Sequence, residues 1–353
     1  MSTYVITGGS GFIGSHVCEL LVKGGHRVIN VDAFNDMYDY RIKLDNIRPF
    51  LRNDAFKDDS SKAETLRALP ASISEPNYRL EIVDIRDKSR LDEVFQSEPI
   101  DAVVHLAALP GVRASIDQPL EFEEVNVRGT LNLLECMKEH GVKKWVCASS
   151  SSVYGNNEKT PFEEGDPVDF PISLYAATKR SCELIGATYQ HLYGIDAMML
   201  RFFTVYGERQ RPDLAIHKFT DMIFQGKEIP FYGDGTTMRD YTYIEDIVAG
   251  VVGSLRYVEE HSNVYEILNL GGDRTITLKS LVETIEKETG MKAKLNRLGM
   301  QAGDVNRTCA NIDKARRLIG FSPSTSFEEG IHRFVTWYKG ERKGETIRRR
   351  THL

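Results

Sequence analysis

The chain has 353 residues, 41% hydrophobic and 27% charged, a mix ordinary for a globular protein with one large or two modest cores. A formal net charge of −6 argues against a general nucleic-acid binder, and no uncharged apolar run approaches the ~18 residues of a membrane span. Five scattered cysteines (Cys18, Cys136, Cys147, Cys182, Cys309) show no CxxC spacing, and a strand rather than a leader opens the chain, so a cytoplasmic protein with buried thiols is expected.

In chain order, Tyr4-Val5-Ile6-Thr7 is a short apolar run that breaks into Gly8-Gly9-Ser10-Gly11-Phe12-Ile13-Gly14. Phe12, Ile13, Val17, Leu20 and Leu21 then recur at helical spacing until Gly24-Gly25, and a second strand, Arg27 to Val31, ends at Asp32. Strand, glycine turn, helix, strand and acidic residue form the context in which a glycine pattern binds a dinucleotide. Gly8, Gly11 and Gly14 let backbone approach a pyrophosphate where Phe12 and Ile13 open a helix, whose free N–H groups and dipole favour an anion. Asp32, 18 residues past Gly14, can accept from both adenosine ribose hydroxyls, which favours NAD over NADP.

The alternation continues with strands expected at Arg79 to Ile85, Ala102 to Ala108, Lys144 to Ser149 and Ala197 to Phe203. Helices between them include Pro119 to His140 and Tyr175 to Tyr193. Continuous apolar strands separated by helices predict an α/β fold, a Rossmann-type doubly wound parallel sheet. Asp84 and Ile85, and Leu106, Ala107 and Ala108, end their strands on the cofactor side; Asp84 is placed at the adenine, and the alanines permit close approach. The polar 48–78 segment reads as a surface insertion with a helix from Ala63 to Leu69, and Pro161 to Pro171 as a loop. A serine run, Ser149 to Ser152, follows one strand; Tyr175 and Lys179 stand four apart on one helical face. Hydroxyls, a phenol and an amine together make a proton-transfer unit.

Beyond Thr204 the rhythm changes. Helices are expected at Asp213 to Gln225, Tyr243 to Glu260, Leu278 to Thr289, Asp313 to Ile319 and Phe327 to Tyr338, with strands at Ile229 to Tyr232 and Val264 to Leu270. The expected division is a dinucleotide domain over 1–204, rejoined by 244–270, and a smaller α/β substrate lobe over 205–243 and 271–340. The basic tail 341–353, with Arg348-Arg349-Arg350, reads as a solvated, frayed end.

Glycine turn, Asp32, serine run and Tyr175-Ala176-Ala177-Thr178-Lys179 together resemble the extended short-chain dehydrogenase/reductase family. Within it the chain is most similar to UDP-glucuronate 4-epimerases, through VDAFNDMYD at Val31 to Asp39, HLAALPGVR at His105 to Arg113 and SLYAATK at Ser173 to Lys179. RFFTVYGERQRPDLA at Arg201 to Ala215 and GDGTTMRDYTYIEDI at Gly233 to Ile247 add to the match. The resemblance implies a UDP-sugar substrate and a resident NAD, with Asn35 and Phe203 among the cofactor contacts. It implies Tyr175 as base, Lys179 as its partner and Ser150 as the hydroxyl on the sugar 4-oxygen. Ser151, Ser152 and Thr204, with Arg113 near the same end, would hold the sugar carboxylate; Arg211, Arg239, Gln301 and Asp304 would hold the uridine diphosphate. A homodimer through the Pro119 to His140 and Tyr175 to Tyr193 helices is also implied.

The chain departs from the family in the length of 48–78 and in Leu109, where many members carry glutamine. Related 4,6-dehydratases carry an Asp-Glu pair where Ser151-Ser152 stand, and decarboxylases an asparagine at Thr204 and a glutamate in the serine turn. Galactose-type epimerases also carry asparagine at Thr204. Family members that serve as redox-sensing binding proteins lack the tyrosine present here at Tyr175.

Overall fold

The computed structural model describes residues 1–52, 60–272, 274–299 and 307–351, with side chains to 341. Six strands come first: β1 (Thr3–Thr7), β2 (Arg27–Val31), β3 (Tyr78–Glu81), β4 (Ala102–His105), β5 (Lys144–Ser150) and β6 (Asp196–Phe202). β7 (Thr204–Tyr206), β8 (Glu228–Tyr232) and β9 (Met238–Tyr243) then leave the main sheet, β10 (Tyr265–Leu270) rejoins it, and β11 (Thr275–Thr277) and β12 (Lys294–Leu298) leave again. The main sheet has the order β10-β6-β5-β4-β1-β2-β3, and every pairing in it is parallel.

Every residue of β4 and β6 is buried, because helices cover both faces. Alternate side chains feed two cores: Ile6, Val104 and Leu200 on one face, Val5, Val103 and Met199 on the other. Strand order reverses between β1 and β4, and there the carboxyl ends of the strands open a crevice for ligands. Two smaller sheets, β11-β9-β7 and β12-β8, are built from the later segments. Among the described residues no helix is long and apolar enough to cross a membrane.

Several expected boundaries change. The strands expected to reach Ile85 and Ala108 stop at Glu81 and His105, so 82–85 and 106–108 run on as loop into the crevice. The single helix expected from Pro119 to His140 is Pro119–Glu123, a π-type turn at Glu124–Arg128, and Gly129–Glu139. That wider turn carries Asn126, 1% exposed, inward to a buried partner described below. The insertion helix is Lys62–Ala68, started by a reciprocal Ser61/Glu64 cap. The last helix, expected from Phe327 to Tyr338, runs from Phe327 to Thr351.

Candidate active site

Along the carboxyl ends of β1, β2, β4, β5 and β6 lies one cavity of about 560 Å³. Its wall holds each site residue expected from sequence within the described part of the chain; Gln301 and Asp304 lie outside the described residues.

The glycine turn forms its floor. Gly8 has φ +72°, and a Cβ there would stand 2.8 Å from the Ala107 nitrogen. A Cβ on Gly14 would stand 2.2 Å from the Gly8 carbonyl oxygen. Only bare backbone closes this turn. Gly11 caps the Phe12–Lys23 helix without any side-chain bond, so the helix presents its first N–H groups to the cavity where Gly11, Phe12, Ile13 and Gly14 line it. This cradle fits a pyrophosphate.

Asp32 is 3% exposed at the end of β2. Its Oδ1 accepts from Lys43 Nζ at 2.8 Å and from the Phe34 N–H at 2.9 Å, and its Oδ2 from the Ser10 N–H at 3.1 Å. Asn35, Met37 and Tyr38 continue the wall there. Asp84, expected at the adenine, is engaged by Arg86, whose Nη2 reaches Oδ2 at 2.7 Å and whose backbone N–H reaches Oδ1 at 2.9 Å. Ile85 lines the cavity beside it and packs on Gly129, where a Cβ would meet Ile85 Cδ1 at 2.6 Å.

The opposite wall is the Leu174–Tyr193 helix, capped by the Ser173 hydroxyl accepting from the Ala176 N–H at 3.2 Å. Tyr175 and Lys179 both face the cavity, one turn apart. The Tyr175 ring is held edge-on by Phe122, with centroids 6.3 Å apart. Lys179 is 5% exposed and donates to the Ala148 carbonyl at 2.9 Å, which ties the helix to β5. Ser150 Oγ accepts from Ser152 Oγ at 2.9 Å and from the Ser152 N–H at 3.2 Å, leaving its own hydrogen to donate. Ser149 turns away and donates to Glu183 Oε1 at 2.6 Å, completing a buried pair of Glu183 with Arg201.

Three groups were not expected from sequence. Lys43, on the Tyr40–Asn46 helix, is 7% exposed. Asn126 accepts from the Leu109 N–H at 2.7 Å, donates to the Leu109 carbonyl at 3.0 Å and bonds Thr178 Oγ1 at 3.1 Å, fixing the loop after β4 against the Tyr175 helix. His105 lies beneath. Thr130 Oγ1 gives its hydrogen to the Asn126 carbonyl, so it accepts from His105 Nε2 at 3.0 Å, and Thr7 Oγ1 donates to Nδ1 at 2.7 Å. This assigns a neutral ring, and burial, reinforced by the Lys179 charge, holds its pKa down at about 3.

Three more arginines line the cavity. Arg113 stacks over Tyr232 at 5.7 Å, Arg211 chelates Asp213 at 2.9 and 2.7 Å, and Arg239 bonds the Met238 carbonyl at 2.9 Å, all three lining the cavity. Thr204 lines it from β7, paired opposite Tyr241 of β9, and Phe203 is locked by its N–H to the Leu270 carbonyl at 3.0 Å.

A crevice of this make on a parallel sheet of this order defines the extended short-chain dehydrogenase/reductases. The chain belongs, within that class, to the GDP-mannose 4,6 dehydratase family, whose model matches residues 5–334. The UDP-glucuronate 4-epimerase of Thermodesulfobacterium geofontis is 41% identical over 340 residues, covering 96% of this chain and 97% of that protein. The crystal structure of UDP-glucuronic acid 4-epimerase from Bacillus cereus, in complex with UDP-glucuronic acid and NAD, is similar with a TM-score of 0.83 at 32% identity, over 96% of this chain and 99% of that one. The UDP-glucose 4-epimerase of Thermotoga maritima with UDP-glucose gives a TM-score of 0.80 at 29% identity, over the same shares of 96% and 99%.

Proposed function

We propose that this chain interconverts UDP-glucuronate and UDP-galacturonate by NAD-dependent 4-epimerisation. One observation carries the reading: a glycine cradle, Tyr175, Lys179, Ser150 and the arginines Arg113, Arg211 and Arg239 line a single cavity. The cradle that a Cβ would fill and the uncapped helix start suit the dinucleotide pyrophosphate, and Asp32 suits its adenosine ribose. NAD bound there supplies a hydride acceptor at the sugar C4 and returns the same hydride, so no net oxidation occurs.

The residues do the rest. Tyr175, as phenolate, takes the 4-hydroxyl proton, and the Lys179 ammonium one turn away favours the charged oxygen. Ser150, its oxygen held by Ser152, donates a hydrogen bond to the sugar 4-oxygen and steadies it as the proton passes to Tyr175. The 4-keto sugar turns over and takes the hydride on its other face while Tyr175 returns the proton. A 4-keto glucuronate is a β-keto acid, so Ser151, Ser152 and Thr204 restrain the carboxylate from aligning its bond with the carbonyl. Arg113 supports that end, and Arg211 and Arg239 face the diphosphate.

The family model is named for a dehydratase, and elimination needs an acid beside the hydroxyl cluster. The acids on the described cavity wall are Asp32, Asp84 and Glu121. Lys43 engages the first and Arg86 the second, and Glu121 acts on that same Arg86. None serves Ser150. A UDP-glucose/galactose-type epimerase is the second reading, favoured by the Thermotoga maritima likeness. Decarboxylation is disfavoured by Thr204.

The 1–204 and 244–270 segments would hold NAD and the 205–243 and 271–340 segments the nucleotide sugar. Leu120, Leu184 and Leu192, at 78%, 53% and 59% exposed on the two helices named from sequence, would meet their copies in a homodimer. Five free, buried cysteines suit the cytoplasm. The test is to incubate the purified protein, without added cofactor, with UDP-glucuronate, UDP-glucose and UDP-xylose separately. UDP-galacturonate from the first is expected; UDP-pentose as the sole product, or no conversion, would overturn the reading.

A further inference from the structure

The Asp32–Lys43 pair is more than a ribose acceptor with a neighbour. A carboxylate offers about four lone-pair positions, and three on Asp32 are filled from within the chain, two on Oδ1 and one on Oδ2. One position on Oδ2 remains, enough for one ribose hydroxyl. Lys43 lines the same cavity, and its Nζ has three hydrogens, of which Asp32 takes one. Its Nζ also lies over the rings of Phe34 and Tyr38, 5.7 and 5.8 Å from their centres, which favours the charge staying there. Neighbouring cations are already engaged: Arg86 by Asp84 and Glu124, Arg211 by Asp213.

We propose that Lys43 is a dinucleotide-specificity residue: beside Asp32 it contacts the second ribose hydroxyl, and it forms a latent 2′-phosphate site that Asp32 alone keeps closed. The proposal rests on the NAD reading above. Asp32 and Lys43 sum to no net charge, so the long-range field does not repel a 2′-phosphate. Exclusion comes from the unfilled Oδ2 position, whose lone pair must face the incoming anion. Removing the Asp32 charge leaves an ammonium at 7% exposure without a counter-ion, a costly state that a phosphate dianion relieves. Asp32 substitution in this chain therefore changes dinucleotide preference rather than merely weakening binding.

The test expresses the full chain as wild type, Asp32→Asn, Asp32→Ser, Lys43→Met and Asp32→Asn/Lys43→Met, and assays the NAD and NADP released on denaturation. Wild type should release NAD. Asp32→Asn and Asp32→Ser should raise the NADP:NAD ratio by roughly tenfold or more, the strength of one charge-assisted bond, and Lys43→Met in the Asn background should remove the gain. A ratio that rises equally without Lys43, or does not rise, overturns the proposal. If the Asp32 variants release neither dinucleotide, titration with adenosine 2′,5′-bisphosphate against AMP decides. Preference for the bisphosphate that is lost with Lys43 supports the proposal; equal affinity overturns it. Wild type releasing no dinucleotide would instead overturn the NAD reading.

Discussion

Removing one oxygen from Tyr175 leaves the ring's edge contact with Phe122 and the whole cofactor cradle in place. Tyr175→Phe should cut turnover by roughly a thousandfold, within the range for loss of a general base, while the protein still carries NAD. Turnover measured beside the cofactor released on denaturation checks both halves. Thr204→Asn should raise the share of UDP-pentose among the products of UDP-glucuronate; an unchanged partition, read by chromatography, removes Thr204 from the carboxylate restraint. Tyr175 and Lys179 were readable because their fixed spacing sits inside a strong helical pattern. Lys43 was not, since YRIKLDN reads as an ordinary solvated helix until Asp32 is placed against it. Asp84 was read by position along its strand, and the Arg86 that engages it comes from the turn that follows.

The glycine-turn helix reaches across to the loop after β7. Arg209, at φ +62°, reaches Glu19 at 2.7 Å on that helix, and His16 bonds the Glu208 carbonyl at 3.0 Å. The loop carrying Arg211 is thus fastened to the helix that opens at the cradle. Gly14→Ala would push a methyl to 2.2 Å from the Gly8 oxygen. It should destabilise the protein by about 2 kcal/mol or more and empty it of NAD, read from urea unfolding and cofactor content. The strands of the main sheet were legible because burial on both faces makes them continuous apolar runs. β9, with the sequence MRDYTY, was not: its partners β7 and β11 are distant or very short, so local pattern says little. The π-type turn was equally silent, because its widening is imposed by Asn126 reaching Leu109 across the fold.

At the scale of the molecule, two histidines tie stability to pH. Burial holds His105 at about 3 and, with Arg209 adding to it, His16 at about 4, against an ordinary 6.5. Between those values and 6.5 the unfolded chain binds protons that the folded chain refuses. Both contributions are therefore intact above pH 6.5 and fade as pH falls toward the folded values. By pH 5 each should have removed about 2 kcal/mol, near 1.4 kcal/mol for every pH unit below 6.5. The urea midpoint at pH 7.5 against pH 5 checks this, and His105→Asn should remove about half of the histidine contribution, leaving that of His16.

The return of β10 to the edge of β6 also governs the order in which the protein can be made. As the chain leaves the ribosome, β6 emerges with one edge bare, and its cover arrives only after β7, β8 and β9 have been synthesised. Until Leu270 is out, nothing clamps the N–H of Phe203, a residue that lines the crevice. The nascent protein is thus a sticky, half-finished sheet for a long stretch of translation, and cofactor capture belongs to the last third of its birth.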